Sequence, residues 1–287
     1  MEKKKRRRKD FSLNSHAKIN LFLDILAKRA DGYHQIRTIF SEIQLADRIN
    51  FILTKNNSIR ILTNIDFVKP EDNIIYKVAV FLKEKYNVSS GVEITLEKKI
   101  PVEAGLGGGS SNAATTITAL SELWELGLSD MEMQKTAALF GSDLNFFLTG
   151  GTALGEGRGE LITPLKDLII DNVLLVKPEF GISSREAYEL AEPSKEHNQD
   201  WRELLDTADV NLCYNGLEQK ILERYQEVRQ IRDLMLEHGA IKSILSGSGP
   251  TVIGFFSDPY QIRNSAEYFG KNNYWNCITK TKERSTL

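Results

Sequence analysis

The chain has 287 residues, of which 41% are hydrophobic and 26% are charged. This composition excludes a disordered or fibrous protein, and the length predicts one large or two closely packed domains. The 37 basic and 39 acidic residues leave a net charge of −2, which excludes a chain-wide basic surface for nucleic acid.

Residues 3–9, KKKRRRK, form a strongly basic segment at the N-terminus. A like-charge block at a terminus is typical of a solvated tail, and a patch for nucleic acid or an anionic membrane is the alternative interpretation. No apolar segment follows that a secretory signal needs, and no apolar run reaches the length of a membrane span. We therefore expect residues 1–11 to be a disordered basic tail, with neither a nucleic-acid nor a membrane partner.

The first half of the folded chain is predicted to contain several strands, a helix and another strand. β-Branched and apolar residues dominate from Ala17 to about Leu62, in AKINLFLDIL, IRTIFSEIQL and RINFIL, which favours strands. Apolar residues at helical spacing predict a helix over Asp72 to Tyr86, beginning at an acidic cap. A short strand is expected from Val92 to Leu96.

Two capped helices are predicted next. The first has Ser110 at its cap and Gly127 just past its end, which are ordinary start and stop residues for a helix. The second begins at Ser129, where Glu132 completes a capping box, and it stops at Gly141.

The second half is predicted to mix strands and helices. A strand is expected over residues 172–178, NVLLVKP, and a long polar helix over Leu217 to His238. Two strands follow over 242–249 and 250–256, and a helix and a final short strand end the chain. Since the elements do not alternate strictly as βαβ units, the pattern predicts an α+β fold in two layers.

Only two cysteines occur, Cys213 and Cys277, far apart and outside any CxxC pattern. They support neither a disulfide framework nor a zinc site. We expect a reducing, cytoplasmic setting and assign no protein ligand to a metal.

The segment PVEAGLGGGSSNAA, Pro101 to Ala114, places four glycines in five positions between a predicted strand and a predicted helix. Glycines allow positive φ and close approach of the backbone, and a helix N-terminus offers N–H groups with a partial positive charge. Such a segment binds a polyphosphate. A turn that only caps the helix is the alternative, but it needs one or two glycines.

Two other kinds of phosphate-binding loop do not match the sequence. The chain contains no GxxxxGK[ST], which a P-loop requires. The dinucleotide fingerprint GxGxxG fails because Ser110 stands where its third glycine belongs.

The glycine loop closely resembles the PxxxGLGSS signature of the GHMP kinases, a family of ATP-dependent small-molecule kinases whose loop wraps the phosphates of ATP. Three further segments are similar to one branch of this family: AKINL with RADGYH at 17–21 and 29–34, GTALGEGRGE at 151–160, and SGSGPT at 246–251. Other GHMP kinases lack the RADGYH element. The resemblance therefore narrows to the branch whose acceptor is a cytidine diphosphate derivative.

This resemblance implies a two-layer GHMP kinase fold of the α+β class. Its N-terminal, ribosomal-S5-like, ATP-binding domain is expected over residues 12–162 and its C-terminal, ferredoxin-like domain over 163–287, with a cleft between them. The implied reaction is ATP-dependent phosphorylation of the 2-hydroxyl of a cytidine diphosphate derivative of methylerythritol, in non-mevalonate isoprenoid precursor synthesis.

The resemblance also implies two catalytic residues. Asp143 matches the family's general base, and Lys18 matches the lysine that orients this carboxylate. A neighbouring cation of this kind keeps a carboxylate ionised. Without the resemblance, a helix cap is as good an interpretation of Asp143 as a catalytic role, and a strand residue is as good an interpretation of Lys18. Asn145 stands where the family usually has proline in GADxPFF, so the stiffening ring beside Asp143 is missing.

Further positions are implied for the two substrates. Tyr33 and Tyr188 match aromatics that sandwich the cytosine, and His34 matches the residue that reads its edge. The implied acceptor-binding residues are Asn20, Asp31, Tyr33, His34 and Tyr188. The implied ATP-binding residues are Asn73, Lys98, Pro101, Ala104, Gly105, Leu106, Gly107, Gly108, Gly109, Ser110 and Ser111.

Without the resemblance, Asn73 is typical of a helix cap and Lys98 of a solvated charge.

Mg²⁺ is expected to accompany ATP and to keep most of its waters. The alternative functions are another GHMP kinase, of the mevalonate or homoserine type, and a non-catalytic nucleotide-binding paralogue. We expect a monomer or a homodimer.

Overall fold

The computed structural model describes residues 9–64, 69–194 and 201–285. The first eight residues of the expected basic tail lie outside these ranges. Asp10 begins the first strand and Phe11 is buried, so these two residues are part of the folded chain. No helix in the described ranges is long and apolar enough to span a membrane.

The first part of the chain folds in the order that the apolar patterning predicts, with strands, a helix, another strand and then helices. The strands are β1 Asp10–Lys28, β2 His34–Thr54, β3 Ile59–Thr63 and β4 Gly91–Glu97. The helices are α1 Ile74–Lys85, α2 Gly108–Leu123, α3 Asp130–Ala138 and α4 Leu144–Thr149.

Two predicted helix starts shift because different residues occupy the caps. Asn73 rather than Asp72 caps α1, where its Oδ1 accepts a hydrogen bond from the Ile75 N–H at 3.0 Å. Helix α2 already begins at Gly108, so Ser110 lies inside the first turn and is not the cap. The capping box at Ser129 is confirmed, whereas α3 ends at Ala138, before the predicted stop at Gly141.

The second part of the chain adds more strands and helices. The strands are β5 Thr152–Gly157, β6 Leu161–Pro164, β7 Val173–Lys177, β8 Tyr214–Asn215, β9 Lys242–Leu245, β10 Val252–Phe255 and β11 Trp275–Thr279. The helices are α5 Ser184–Glu189, α6 Trp201–Thr207, α7 Glu218–Arg224, α8 Gln226–Glu237 and α9 Pro259–Lys271.

The long polar helix predicted over Leu217 to His238 is wrong in one respect, because it is divided into α7 and α8 at Tyr225. This residue leaves the helical conformation, with φ −115° and ψ 89°. Its ring stacks on Phe180 at 5.5 Å between centroids, and its hydroxyl donates to the Glu186 carboxylate. These tertiary contacts override the helical periodicity of the sequence.

The described chain forms two compact units built from interleaved segments. Unit 1 takes the chain up to Ser15, then 46–99 and 108–148, and unit 2 takes 16–45, 100–107 and 149 onward. The long strands β1 and β2 each contribute to both units. The consecutive domains predicted from the sequence, over 12–162 and 163–287, stay a prediction.

Unit 1 packs helices against a small sheet. Strand β4 pairs parallel with β3 and antiparallel with the second half of β2. Helix α2 packs against both α1 and α3. The core of this unit includes the fully buried residues Phe51, Ile94, Leu82, Ile117 and Leu120.

Unit 2 contains a four-stranded antiparallel sheet in the order β11-β7-β10-β9. Helix α8 packs on β9 and β10, while α9 packs on β7 and β11. Strands and helices thus follow one another as βαββαβ, with α5 to α8 in the first connection, which confirms the predicted ferredoxin-like arrangement. The first half of β2 pairs with β5, and β8 runs parallel to β1.

Candidate active site

Two polar side chains of β1 are buried in unit 2. Lys18 and Asn20 are only 4% and 3% exposed, and their spacing of two places them on the same face of the strand. The Lys18 Nζ donates to Asn20 Oδ1 at 2.6 Å, and Asn20 Nδ2 donates to Thr38 Oγ1 at 2.7 Å. Because Thr38 Oγ1 in turn donates to the Phe22 carbonyl, the Asn20 amide is oriented with its oxygen towards the ammonium group.

The first half of the glycine loop lies against this pair. The Lys18 N–H donates to the Leu106 carbonyl at 3.0 Å. Ala104 and Leu106 are buried, so their side chains anchor the loop. Gly105 has φ +73°, and a Cβ there would lie 2.2 Å from the Ser246 carbonyl oxygen. The fold itself therefore requires glycine at position 105.

The third family-like segment, Ser246 to Thr251, approaches from the other side. Ser246 Oγ donates to the Gly105 carbonyl at 3.2 Å. A Cβ at Gly247, where φ is +54°, would lie 2.8 Å from Asn20 Oδ1 and 3.2 Å from Lys18 Nζ. Unit 2 thus brings three separate sequence segments together around Lys18.

Two residues that the sequence analysis missed hold this third segment. Asn215 Nδ2 donates to the Leu245 and Gly247 carbonyls, both at 2.8 Å, and its Oδ1 accepts from the Leu217 N–H at 2.9 Å. Glu218 Oε2 accepts from the Leu245 N–H at 2.6 Å, and burial raises the pKa of this carboxyl group. The pair Asn215-Gly216 is typical of a turn, so the sequence gives no sign of this role.

His34 and Tyr188 lie together in unit 2. His34 is the first residue of β2 and is 7% exposed, and its ring stacks on Tyr188 of α5 at 5.6 Å between centroids. Burial lowers the pKa of His34, and the charge of Lys28 lowers it further. The imidazole is therefore neutral at pH 7, with one N–H donor and one acceptor nitrogen.

Tyr33 and Asp31 belong to the turn between β1 and β2. The Asp31 carboxylate accepts from the Tyr33 N–H at 3.1 Å and from Arg29 Nη2 at 2.9 Å. The hydrogen bond from Arg29 lowers the pKa of Asp31. The Tyr33 side chain is 54% exposed, and the Arg158 guanidinium lies 4.7 Å from its ring centroid. Asp31 thus organises the turn that carries Tyr33.

In unit 1, the second half of the glycine segment opens α2. Gly107 has φ +68° and α2 begins at Gly108, so the N–H groups of Gly108, Gly109 and Ser110 lack intrahelical partners. Apart from its chain neighbours and the backbone of its own helix, no atom of the described chain lies within 4 Å of a Cβ built on Gly109. Ser111, in contrast to Gly109, is buried, and its Oγ accepts a hydrogen bond from Ser15 Oγ at 2.7 Å.

Lys98 forms a buried ion pair rather than the solvated charge that its sequence context alone suggested. Its Nζ lies 2.6 Å from Oδ2 of Asp47, a fully buried residue. Burial lowers the pKa of Lys98, and the charge of Asp47 opposes this shift. Asn112 Nδ2 donates to the same Oδ2 at 2.8 Å, which ties the first turns of α2 to this pair.

Asp143 is half-buried in unit 1 and directly precedes α4. Asn145 is the second residue of this helix. Proline is tolerated in the first turn of a helix, where N–H groups have no intrahelical partner, so proline and asparagine both suit this position. No group of three or more His, Cys, Asp or Glu side chains suited to a metal ion occurs in the described ranges.

Comparisons with known proteins give consistent matches. The model of the GHMP kinases N terminal domain matches residues 73–151, and that of the GHMP kinases C terminal matches 187–274. A 4-diphosphocytidyl-2-C-methyl-D-erythritol kinase of Geobacillus kaustophilus is 43% identical over 253 residues, covering 85% of this chain and 87% of that protein. The same kinase of Brevibacillus brevis is 43% identical over 274 residues, covering 91% and 94%.

A crystal structure of a 4-(cytidine 5'-diphospho)-2C-methyl-D-erythritol kinase superimposes with a TM-score of 0.81 at 28% identity. The match covers 95% of this chain and all of that one. Each of the two matched family models falls within one of the consecutive domains predicted from the sequence.

Proposed function

Because the chain belongs to the 4-diphosphocytidyl-2-C-methyl-D-erythritol kinases of the GHMP family, we propose that it phosphorylates the 2-hydroxyl of 4-diphosphocytidyl-2-C-methyl-D-erythritol. It is a small-molecule kinase that uses ATP and serves isoprenoid precursor synthesis. The observation that carries the proposal is the meeting of three family-like segments at Lys18. In phosphoryl transfer the protein takes little part in covalent chemistry, and it acts mainly by positioning the reactants and placing cations that stabilise charge on the phosphates.

The triphosphate of ATP is bound by the glycine loop in this proposal. The first turn of α2 offers backbone N–H groups beside the open space at Gly109, which suits close approach of an anion. Ser110, which is half-buried, is the better candidate for a hydroxyl contact, since the hydroxyl of Ser111 already bonds Ser15. Asn73 and Lys98 are proposed to line the nucleotide site through the elements they stabilise.

Asp143 is the proposed general base and Lys18 the proposed catalytic cation, because each matches the corresponding position of the family. The acceptor hydroxyl gives its proton to Asp143 as its oxygen bonds to the γ-phosphorus and the bond to the β–γ bridging oxygen breaks, releasing ADP. Mg²⁺ is proposed to arrive with ATP, because this ion usually binds through substrate phosphates and a few protein oxygens. It neutralises charge on the phosphates.

The cytidine end of the acceptor is assigned to the region of His34, Tyr33 and Tyr188. A neutral imidazole suits recognition of a neutral pyrimidine edge, and two aromatic rings lie in the same unit. Asn20 and Asp31 are proposed to support this site, Asn20 through Lys18 and Asp31 through the turn that carries Tyr33. A cytoplasmic location and a monomeric or homodimeric state are also proposed.

A coupled assay of ADP release tests the function, with mevalonate and homoserine as rival acceptors. Turnover with 4-diphosphocytidyl-2-C-methyl-D-erythritol alone, and a loss of about 10²–10⁴-fold in kcat for Asp143→Asn, would support it. Turnover with a rival acceptor would indicate another GHMP activity. No turnover with any acceptor would favour the non-catalytic alternative, although the 43% identity to two relatives named as this kinase does not favour either rival.

A further inference from the structure

Arg158 lies over the Tyr33 ring, although the sequence analysis gave it no role. Its guanidinium carbon is 4.7 Å from the ring centroid, which is within the range of a cation–π contact. Tyr33 is more than half exposed, so much of its surface is open to solvent. The guanidinium contacts one face of the ring and can restrain its orientation.

The turn that carries Arg158 is itself well ordered. It connects β5 and β6, and the flanking Gly157 and Gly159 have φ of +74° and +106°. Glu160 accepts from the Arg158 N–H at 2.5 Å, and its other oxygen lies 3.6 Å from Arg158 Nε. The guanidinium thus approaches Tyr33 from a fixed position.

The backbone of Tyr33 is held separately. Asp31 accepts from the Tyr33 N–H, and Arg29 fixes the Asp31 carboxylate. The charge of Arg158 also acts on the Asp31 carboxylate, but Arg29 is the group that bonds it. Removal of Arg158 should therefore chiefly loosen the ring.

We propose that Arg158 is a positioning residue for the acceptor: it holds Tyr33 as a stacking platform for the pyrimidine. The guanidinium occupies one face of the ring, and the planar base stacks on the opposite face. This inference rests on the proposed function, in which Tyr33 contacts the cytosine. It assigns Arg158 no direct contact with either substrate.

Arg158→Met tests the inference, because methionine keeps length and apolar bulk but removes the planar cation. We expect the KM for the acceptor to rise about two- to five-fold, the range of an exposed cation–π contact. The kcat and the KM for ATP should not change. Titration with cytidine diphosphate should show the same loss of affinity, and Arg158→Lys should restore part of it.

Arg202→Met is the matched control, since Arg202 lies 4.2 Å from the Trp201 ring centroid in a similar contact. It should leave all three kinetic constants unchanged. A double-mutant cycle then separates direct from indirect action: in a Tyr33→Ala background, Arg158→Met should have no further effect on acceptor KM.

Three outcomes are decisive. If Tyr33→Ala leaves the acceptor KM unchanged, the stacking role in the proposed function is wrong, and this inference is wrong with it. If Tyr33→Ala weakens acceptor binding but Arg158→Met does not, only the inference is overturned. Equal effects of Arg158→Met in both backgrounds would also overturn it, because they would indicate a direct contact.

Discussion

Single buried side chains fix the backbone around Lys18, and Asn215 uses both of its side-chain N–H donors for this purpose. Both of its N–H donors bond main-chain carbonyls, and one of these belongs to Gly247. Gly247 in turn packs within a few ångströms of the Lys18 ammonium. A change at Asn215 should therefore affect Lys18, the proposed catalytic lysine, without touching a substrate.

Asn215→Asp should lower both stability and turnover. The carboxylate keeps the shape and the bond from the Leu217 N–H, but it leaves the two carbonyls without donors, at a cost of about 1–3 kcal/mol each. Thermal unfolding and steady-state kinetics should show a lower Tm and a lower kcat. Asn272→Asp is the control, since Asn272 makes one exposed bond to the Tyr268 carbonyl. Equal effects of both variants would contradict the prediction.

His34 is expected to select cytosine over uracil. Cytosine offers an acceptor at N3 and an amino donor, whereas uracil inverts both, so a neutral imidazole that donates to N3 discriminates between them. The lowered pKa of His34 keeps the ring neutral at pH 7. Each unpaired buried polar group costs about 1–3 kcal/mol, which gives discrimination on the order of 10²–10⁴-fold.

His34→Ala should therefore reduce the ratio of kcat/KM between the cytidine and uridine forms of the acceptor. His238→Ala is a suitable control, because His238 lies against Tyr268 and Phe269 of α9. An unchanged ratio in the His34 variant would assign edge reading to another group.

Two glycines of the glycine segment lie in different surroundings. At Gly105 the chain itself occupies the space of a Cβ, and at Gly109 the described chain leaves that space open. Both positions are glycine in the sequence, which therefore does not distinguish the packing requirement at Gly105 from the proposed ligand requirement at Gly109. The distinction depends on Ser246, which lies 141 residues away.

Alanine at these two glycines should change stability in opposite directions. Gly105→Ala should lower the Tm, because its Cβ would clash with the Ser246 carbonyl at positive φ. Gly109→Ala should leave the Tm unchanged or raise it by removing a helical glycine, worth about 0.5–1 kcal/mol. It should also raise the KM for ATP about tenfold or more, since the methyl group enters the proposed phosphate space. An unaltered KM for ATP in Gly109→Ala would remove α2 from the phosphate site.

Local signals in the sequence identified most elements, and tertiary contacts explain the exceptions. The capping box at Ser129 needs only neighbouring residues and was predicted correctly. The break at Tyr225 depends on Phe180 and Glu186, far away in sequence, and was missed. The buried state of Lys98 depends on Asp47 in the same way.

Strands β1 and β2 supply residues to both compact units, and no local pattern in the sequence indicates this sharing. The family resemblance located the Lys18, Gly105 and Gly247 segments, and the structure places them together in unit 2. It gave no role to Asn215, whose partners are main-chain groups, or to Arg158, although Arg158 lies in the family-like segment 151–160.

The consecutive C-terminal domain, residues 163–287, should not fold as an independent unit. Its four-stranded sheet is complete within that range, but the two hydrophobic clusters of unit 2 also contain buried residues from β1 and β2. These residues are Ala17, Ile19, Leu21, Phe22, Leu23, Ile25, Ile36, Ile39 and Ile43.

Each large side chain that is missing from the core lowers the free energy of unfolding by about 1.5–3 kcal/mol, and this free energy is only about 5–15 kcal/mol for a whole domain. The fragment should therefore expose the matching face of its sheet. Thermal unfolding followed by circular dichroism should show no cooperative transition, and an apolar dye should bind the fragment strongly. The full-length chain, as the control, should unfold cooperatively and bind little dye. A cooperative transition in the fragment would show instead that the consecutive division describes independent folding units, with β1 and β2 dispensable for the second core.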